Sequence, residues 1–365
     1  MQFVSISYDY DSLYSSPQPW LVRTRAYGGV LTALAKYGNV ANITRINYEG
    51  EVIHDGVRHH FVNNGSKRLL FPRKLHRLVK SLNPDVVIVH SLNKPLQVIQ
   101  LRLTLPRKTR IIVQNHAEKP SVGIRKLLQR LADKCVDAYL FASKNMGLDW
   151  VTQGNLSSPQ KIHEVMELSS IFYPIDKETA RAKTGIDAEK VYLWVGRLDA
   201  NKDPITAVKA FLKFAETEPQ ACLYMLYHTE ELLPQIKQLL SDATNPEAIK
   251  LIGKIPNDDM LYWFNSADFF VAASHYEGSG TALCEALSCG CVPVVSEIFS
   301  FRMITDDGNI GLLFPPGNDI QLLEALHHTQ SLDVATEREK ALTYFKSRLS
   351  FEAIAQQIHQ IAASL

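Results

Sequence analysis

Short runs of β-branched and apolar residues alternate with longer stretches of helical periodicity along almost the whole chain, in two successive series. MQFVSIS, NVANITRI, PDVVIVHSL, RIIVQNH and VDAYLFAS make up the first series; KVYLWVGRL, ACLYMLYH, AIKLIGKI, ADFFVAAS and VPVVS make up the second. Most of these runs are apolar without alternation, the pattern of strands buried on both faces, as in parallel sheets covered by helices. GGVLTALAKYG, RKLHRLVKSL and GIRKLLQRLADKC read as intervening helices. The chain is therefore expected to be α/β, with two consecutive doubly wound domains. A polar stretch, SIFYPIDKETARAKTGIDAEK, carries Pro174 and Gly185 and separates the two series. It sets the expected domains at 1–180 and 181–349. The tail 350–365, SFEAIAQQIHQIAASL, has helical spacing and could pack on either.

Composition narrows the class. The 365 residues suit two domains of ordinary size. MQFVSISYDYD has no basic leader region, and no run of about 18 apolar residues exists to span a bilayer. A soluble, cytoplasmic protein is expected. The five cysteines, Cys135, Cys222, Cys284, Cys289 and Cys291, are odd in number and lack zinc spacing, so they read as reduced core residues.

The net charge of +1 hides an asymmetry: residues 1–150 hold 22 Lys/Arg against 10 Asp/Glu. A basic half points to phosphate groups, nucleic acid or a membrane surface. The excess clusters at 67–80, 102–110 and 123–134. In the last of these, Ile124, Leu127, Leu128 and Leu131 share one helical face and Arg125, Lys126 and Arg130 lie off it, as in helices that rest on membranes. An ordinary amphipathic helix covering the sheet has the same pattern. No nucleic-acid recognition motif accompanies the charge, so no nucleic-acid partner is expected.

The densest chemical signal is SHYEGSGTALCEALSCG, directly after ADFFVAAS. A strand that ends in a glycine-rich turn and opens a helix leaves free amides and a positive dipole end pointing off the sheet, an anion cradle. Gly278 and Gly280 allow close approach, and the amides of Gly280, Thr281 and Ala282 are the expected donors. Glu277 and Glu285 flank the turn. A carboxylate matches the paired donors of a vicinal diol, which points to sugar or ribose hydroxyls. In WVGRLDANKD, Arg197 and Lys202 follow a buried strand at the carboxyl edge of its sheet, where open α/β folds bind ligands. Arg197 suits bidentate phosphate contact and Lys202 is a mobile point charge.

Taken together, G-R-L-x3-K, the Gly253-Lys254-Ile255 segment, A-D-x-F-V-x-x-S and E-G-x-G-x4-E-A-x3-G-x2-P-V-V resemble the retaining glycosyltransferases of family 4, also described as glycosyl transferases group 1. YGGVLTALAKYG, PDVVIVHSL, Asn115-His116 and VDAYLFASK extend a more generic resemblance over the first half. It implies a GT-B architecture: two Rossmann-like domains facing across a cleft, with the C-terminal helix crossing back to the first. It also implies that Arg197 and Lys202 hold the donor pyrophosphate, Glu285 the ribose diol and Glu277 the transferred sugar. Backbone near Lys254 and Ile255 would meet the base, Gly28 and Gly29 would line the opposite wall, and His116 would contact the sugar or relay a proton. The expected reaction moves a hexose from a nucleotide diphosphate sugar, used as substrate with no further cofactor, to a glycan or lipid-linked acceptor.

The sequence departs from the family in three places. LYHTEELLP, with His228 and Thr229, stands where a G-x-G-P turn is usual; ELSSIFYP replaces Asn-Gly-hydrophobic-Asp; and Arg302 replaces a carboxylate. Asp9 and Asp11 have the oxygen ligands a divalent cation wants, but Arg197 and Lys202 already supply the neutralising charge, so transfer without metal is expected. A non-catalytic sugar-nucleotide binder and a sugar-nucleotide epimerase are the alternatives on the same fold. A dinucleotide oxidoreductase is disfavoured, because YDYDSLYSS stands where G-x-G-x-x-G would follow the first strand.

Overall fold

A computed structural model describes residues 1–65 and 70–365 and divides them into two compact units. Unit 1 comprises Met1–Ser169 and Ser350–Leu365, and unit 2 comprises Ser170–Leu349. The division thus falls at Ser169/Ser170 rather than at 180/181. The cause is local: Asn265 accepts from the Ile175 amide at 2.8 Å and donates to the Tyr173 carbonyl at 3.0 Å, while Ser288 donates to Ser170 at 2.7 Å. These bonds tie the polar stretch to the second unit from its start.

Unit 1 is built on eight strands: β1 (Gln2–Asp11), β2 (Asn39–Ile46), β3 (Gly50–His54), β4 (Val57–Phe61), β5 (Val86–His90), β6 (Arg110–Gln114), β7 (Ala138–Phe141) and β8 (Ile162–Glu164). Their order is β3-β4-β2-β1-β5-β6-β7-β8, parallel except for the β3–β4 hairpin. That hairpin is absent from the strands expected above, because VRHHF is too polar to read as a buried run. Its turn, Asp55-Gly56, has positive φ at both residues, the geometry that two-residue hairpins favour. The helices are α1 (Pro17–Arg23), α2 (Arg25–Leu34), α3 (Arg73–Ser81), α4 (Pro95–Thr104), α5 (Gly123–Asp133) and α6 (Lys144–Thr152). Residues 67–69 of the first basic cluster lie outside the described residues.

Unit 2 has six parallel strands: β9 (Lys190–Gly196), β10 (Ala221–Tyr227), β11 (Ile249–Gly253), β12 (Phe269–Ala272), β13 (Val292–Ser296) and β14 (Leu312–Phe314). They run in the order β11-β10-β9-β12-β13-β14. Its helices are α7 (Lys177–Thr184), α8 (Pro204–Phe214), α9 (Leu233–Ser241), α10 (Met260–Ser266), α11 (Thr281–Ser288), α12 (Phe299–Ile304), α13 (Asp319–His328) and α14 (Val334–Tyr344). Tyr192 stacks on Phe269 with ring centroids 4.8 Å apart and meets Phe211 and Phe214 edge-on, joining β9, β12 and α8 in one aromatic core. Cys222, Cys284, Cys289 and Cys291 are buried as free thiols.

The last helix, α15 (Phe351–Ser364), belongs to unit 1 and packs on α2. Ser350 caps it by accepting from the Ala353 amide, and Tyr37 stacks on His359 at 4.6 Å. Phe351 fills the space a side chain at Gly29 would need: a Cβ there would sit 2.5 Å from its ring. Gly29 is therefore required by the packing of α2 against α15. Gly28 lies beside it inside α2, with open space where its Cβ would be.

Each sheet reverses its winding once, between β1 and β5 in unit 1 and between β9 and β12 in unit 2. A crevice opens outside the carboxyl ends of strands at such a point. Arg197, Lys202, Glu277 and Gly280 lie at the second of these places and His116 beside the first, while Lys254 and Ile255 follow the edge strand β11.

Candidate active site

In unit 2, β9 leads into the loop 197–203 and β12 into the loop 273–280. The two loops are laced together: the His275 amide donates to the Asn201 carbonyl at 2.8 Å, and Asn201 donates to the Tyr276 carbonyl at 2.9 Å. Asp203, with φ of 44°, caps α8 through the Thr206 amide and meets His275 Nε2 at 3.2 Å. Asp199 accepts from the Lys202 amide at 2.9 Å and from Arg197 Nε at 3.0 Å. The Leu198 amide donates to the Thr229 hydroxyl at 3.0 Å, so Thr229, part of the departure from the usual glycine turn, supports the cationic loop.

The loops hold Lys202 Nζ 2.5 Å from Glu277 Oε1, with side chains 21% and 14% exposed. Arg197 is 52% exposed and is leashed by Asp199. Its guanidinium still has donors to offer an anion, whereas Lys202 must share its charge with Glu277. Gly280 adopts φ of 56° at the N-cap of α11 and has no side chain with which to cap that helix. The first-turn amides at Thr281 and Ala282 are consequently left for a ligand. A slot of about 10 Å³ runs behind Lys202, Glu277, Gly280 and Ala282, room for about one water, so a larger ligand has to lie on the open loops.

Glu285 is half-buried in the second turn of α11. Gly278 is half-buried in the turn before it. Lys254 and Ile255 follow Gly253, φ 83°, at the end of the edge strand β11. They share the carboxyl edge of the sheet but stand two strands, roughly 10 Å, from β9. Arg302, where the family has a carboxylate, pairs with Glu297 and with Asp307 at 3.4 Å.

In unit 1, a pocket of about 760 Å³ opens at the β1/β5 reversal, with Trp20, Tyr27, Asn42, His90, His116 and Lys94 among its walls. Beneath it, one side chain from each of several neighbouring strands joins a polar ladder. Asn42 bridges His59 Nδ1 at 3.3 Å and Ser5 at 2.9 Å; Ser5 meets His90 Nε2 at 3.1 Å and Tyr27 at 2.9 Å; Tyr27 meets the same nitrogen at 2.6 Å. His90 Nδ1 is 2.8 Å from His116 Nε2, and His116 Nδ1 pairs with Glu167. Asp9 pairs with Lys94, and Asp11 accepts from the Leu13 amide.

Both ring nitrogens of His116 are engaged within the protein, which leaves none for a sugar hydroxyl. Its burial opposes the charged form, but hydrogen bonding and charge from Glu167, with Glu118 and Asp9, prevail and raise its pKa above 6.5. When His116 is charged it donates from both nitrogens, and a neutral His90 then carries its proton on Nε2 and donates toward Tyr27 or Ser5. The ladder thereby gains a direction. Glu167, His90, Tyr27, Asp199 and Asp203 all sit inside segments quoted above, and none has a role assigned there.

The histidines make stability depend on pH. Burial, aided by His54 and His60, holds His59 down to about 4; burial alone does the same for His76; burial and then His116 hold His90 well below 6.5. The unfolded chain takes up these protons near pH 6.5. Between pH 6.5 and 4 it binds more protons than the fold, so stability falls with pH, by up to about 1.4 kcal/mol per unit for each such histidine. His116 has the opposite sign: its contribution is complete below 6.5 and is lost as pH rises through its raised value. Urea midpoints are expected to drop from pH 6.5 to 5, and unchanged midpoints would contradict neutral burial of these rings.

Residues 176–343 match the glycosyl transferases group 1 family model. An N-acetylgalactosamine-N,N'-diacetylbacillosaminyl-diphospho-undecaprenol 4-alpha-N-acetylgalactosaminyltransferase of Campylobacter jejuni is 26% identical over 69% of this chain and 69% of its own. O-antigen chain mannosyltransferase B of Escherichia coli is 36% identical over 28% of this chain, which spans 26% of that relative. Among solved structures, a glycosyltransferase from Rickettsia africae superposes with a TM-score of 0.75 at 14% identity, over 100% of this chain and 97% of its own. Anabaena HepE in complex with UDP gives 0.72 at 14% identity, over 100% of both. These likenesses establish the GT-B fold.

Proposed function

We propose that this chain, a GT-B glycosyltransferase of the group 1 type, moves a hexose from a nucleotide diphosphate sugar to a glycan or lipid-linked acceptor, with retention of configuration and without a metal. The observation that carries the reading is the pair of laced loops at the unit 2 reversal. They bring Lys202 beside Glu277 and leave Arg197 and the amides of α11 open. As the glycosidic bond breaks, the diphosphate gains negative charge, and preorganised donors aimed at it lower the barrier. Glu277 orients the transferred sugar, Glu285 takes the ribose diol, and backbone at Lys254 and Ile255 lies on the base side. The departing phosphate accepts the acceptor's proton. In unit 1, the pocket of about 760 Å³ over the histidine ladder has room for an acceptor, and His116 buttresses its floor.

Several relatives bear on the acceptor. One has a diphospho-undecaprenol substrate in its name, and another is a phosphatidyl-myo-inositol mannosyltransferase of Mycobacterium leprae, 30% identical over 34% of this chain. A lipid-linked acceptor and a cytoplasmic protein working at the inner face of a membrane, which its basic unit touches reversibly, agree with these names. No helix among the described residues is long and apolar enough to cross a membrane.

Transfer should survive exhaustive chelation. Product formation from a panel of nucleotide sugars and lipid-linked oligosaccharides, followed with and without chelator, checks this. Full loss restored by magnesium or manganese would overturn the metal-free mechanism and return attention to Asp9 and Asp11.

A further inference from the structure

Four side chains of unit 1 stand in one polar chain: Glu167 beside His116, His116 Nε2 at 2.8 Å from His90 Nδ1, and His90 Nε2 at 2.6 Å from the Tyr27 hydroxyl. One proton sets the direction of every bond in it. Ionised Glu167 only accepts, so His116 keeps a proton on Nδ1 turned toward it. With a second proton on Nε2, His116 donates to His90 Nδ1. His90 is held neutral by burial and then by His116, so its own proton goes to Nε2 and points at the Tyr27 oxygen. Without that second proton, His116 Nε2 accepts, His90 carries its proton on Nδ1, and its Nε2 takes the O–H of Tyr27. Ser5 does not replace Tyr27 there, because its one proton goes to Asn42 Oδ1 at 2.9 Å. The charge on His116 therefore decides whether Tyr27 is free to donate elsewhere or is locked to His90. Tyr27 lines the pocket of about 760 Å³, and burial raises its pKa, so the phenol keeps its proton.

We propose that Glu167 is a positioning residue which, by keeping His116 charged, frees the Tyr27 hydroxyl to donate a hydrogen bond to an oxygen of the acceptor in the unit 1 pocket. Use by an acceptor rests on the proposed function; the orientation of Tyr27 does not. The Glu167 side chain is 13% exposed, and a carboxylate so placed is costly unless it is paired with a charge. The other groups facing His116 are Glu118 in its own loop, Asp9 at the end of β1 with its partner Lys94, His90 on β5 and Tyr27 on α2, while Arg125 of α5 lines the same pocket. Burial opposes the charge on His116, but Glu167, then Glu118 and Asp9, outweigh it. Below its raised pKa Tyr27 is a donor to the pocket; above it Tyr27 is locked. Removing the Glu167 charge leaves burial with less to oppose it, so the change moves to lower pH.

The test begins with the resting full chain, nitrogen-labelled at histidine. Two-bond nitrogen–proton spectra read the tautomer of each imidazole, and His116→Gln and His90→Gln identify the signals. Below the raised pKa of His116, both of its nitrogens should be protonated and His90 should be the Nε2–H tautomer. As His116 loses its charge, His90 should change to Nδ1–H at the same pH. Glu167→Gln should move both changes together to lower pH by about one to three units, with circular dichroism unchanged. A His90 that keeps one tautomer throughout overturns the proposal, and the parent chain decides this even where Glu167→Gln is unstable. So does a His116 titration that Glu167→Gln leaves in place. Kinetics with a donor and acceptor that give product then read the use of Tyr27. The acceptor KM should rise as pH passes the His116 transition, and Glu167→Gln should bring that rise to lower pH while kcat and the donor KM hold. Tyr27→Phe should raise the acceptor KM about fivefold below the transition, the worth of one neutral hydrogen bond, and should remove its pH dependence. An acceptor KM that follows the parent's pH curve in the Tyr27→Phe variant overturns the role of Tyr27. The expected tautomers with no transfer at any pH count against the proposed function alone, and transfer with the tautomers reversed counts against Glu167 alone.

Discussion

Lys202→Ala is expected to lower turnover about 100-fold or more while the chain stays folded, and Arg197→Ala to do nearly the same. On the proposed function, both cations face charge that grows as the donor bond breaks, so their removal is expected to weaken the transition state more than the bound donor. The lysine should be the more damaging loss. Its Nζ lies 2.5 Å from Glu277, which is 14% exposed, and truncation leaves that carboxylate beside an anionic substrate with its partner gone. Arg197 is half exposed, and its partner Asp199, 18% exposed, keeps the Lys202 amide as a donor when the guanidinium is gone. Steady-state kinetics checked against circular dichroism decide the matter. Loss of less than a few-fold for either cation would place the site elsewhere.

Gly280→Ala is the second large effect. The residue sits at φ of 56°, where an L side chain costs about 1–2 kcal/mol. An added Cβ would also lie 2.8 Å from Ile304 Cδ1 and 3.0 Å from Phe301 Cε1. Both neighbours are buried, so the start of α11 has to move instead. A shift of about 1 Å in preorganised donors can cost about 100-fold in rate. Turnover is therefore expected to fall about that much, with stability lowered by about 2–4 kcal/mol. Gly185→Ala is the matched control: φ is 72° and the space around it is open, so only the backbone strain applies and turnover should hold. Equal activity of the two variants would contradict the role given to the α11 amides.

The buried runs identified ten of the strands because burial on both faces leaves a local, contiguous mark, whereas the parallel strands β4, β8 and β14, polar or only three residues long, leave none. Likewise Arg197, Lys202, Glu277 and Gly280 were legible, since each sits in a strand-end motif whose position relative to the sheet follows from the winding. What stayed hidden depends on partners distant in sequence. Glu167, His116 and His90 meet through strands β5 and β6 and the segment after β8, and no local pattern announces that chain of hydrogen bonds. The packing use of Gly29 stayed hidden because it is set by Phe351 on the last helix. For α5 the periodicity shows that an apolar face exists, but only the bonds of Gln129 and Asp133 show which way it points. The domain limit was misjudged for the same reason: Ser170 and Tyr173 are polar-stretch residues locally, yet they bond to Ser288 and Asn265.

The most direct test of the account is titration calorimetry of the full chain against a panel of nucleoside monophosphates, diphosphates and diphosphate sugars spanning the common bases. The account predicts that at least one base binds as its diphosphate or diphosphate sugar, that the matching monophosphate binds at least about tenfold more weakly, and that Arg197→Ala and Lys202→Ala erase most of that difference. No binding by any diphosphate in the panel, or a diphosphate preference that survives loss of both cations, would contradict it.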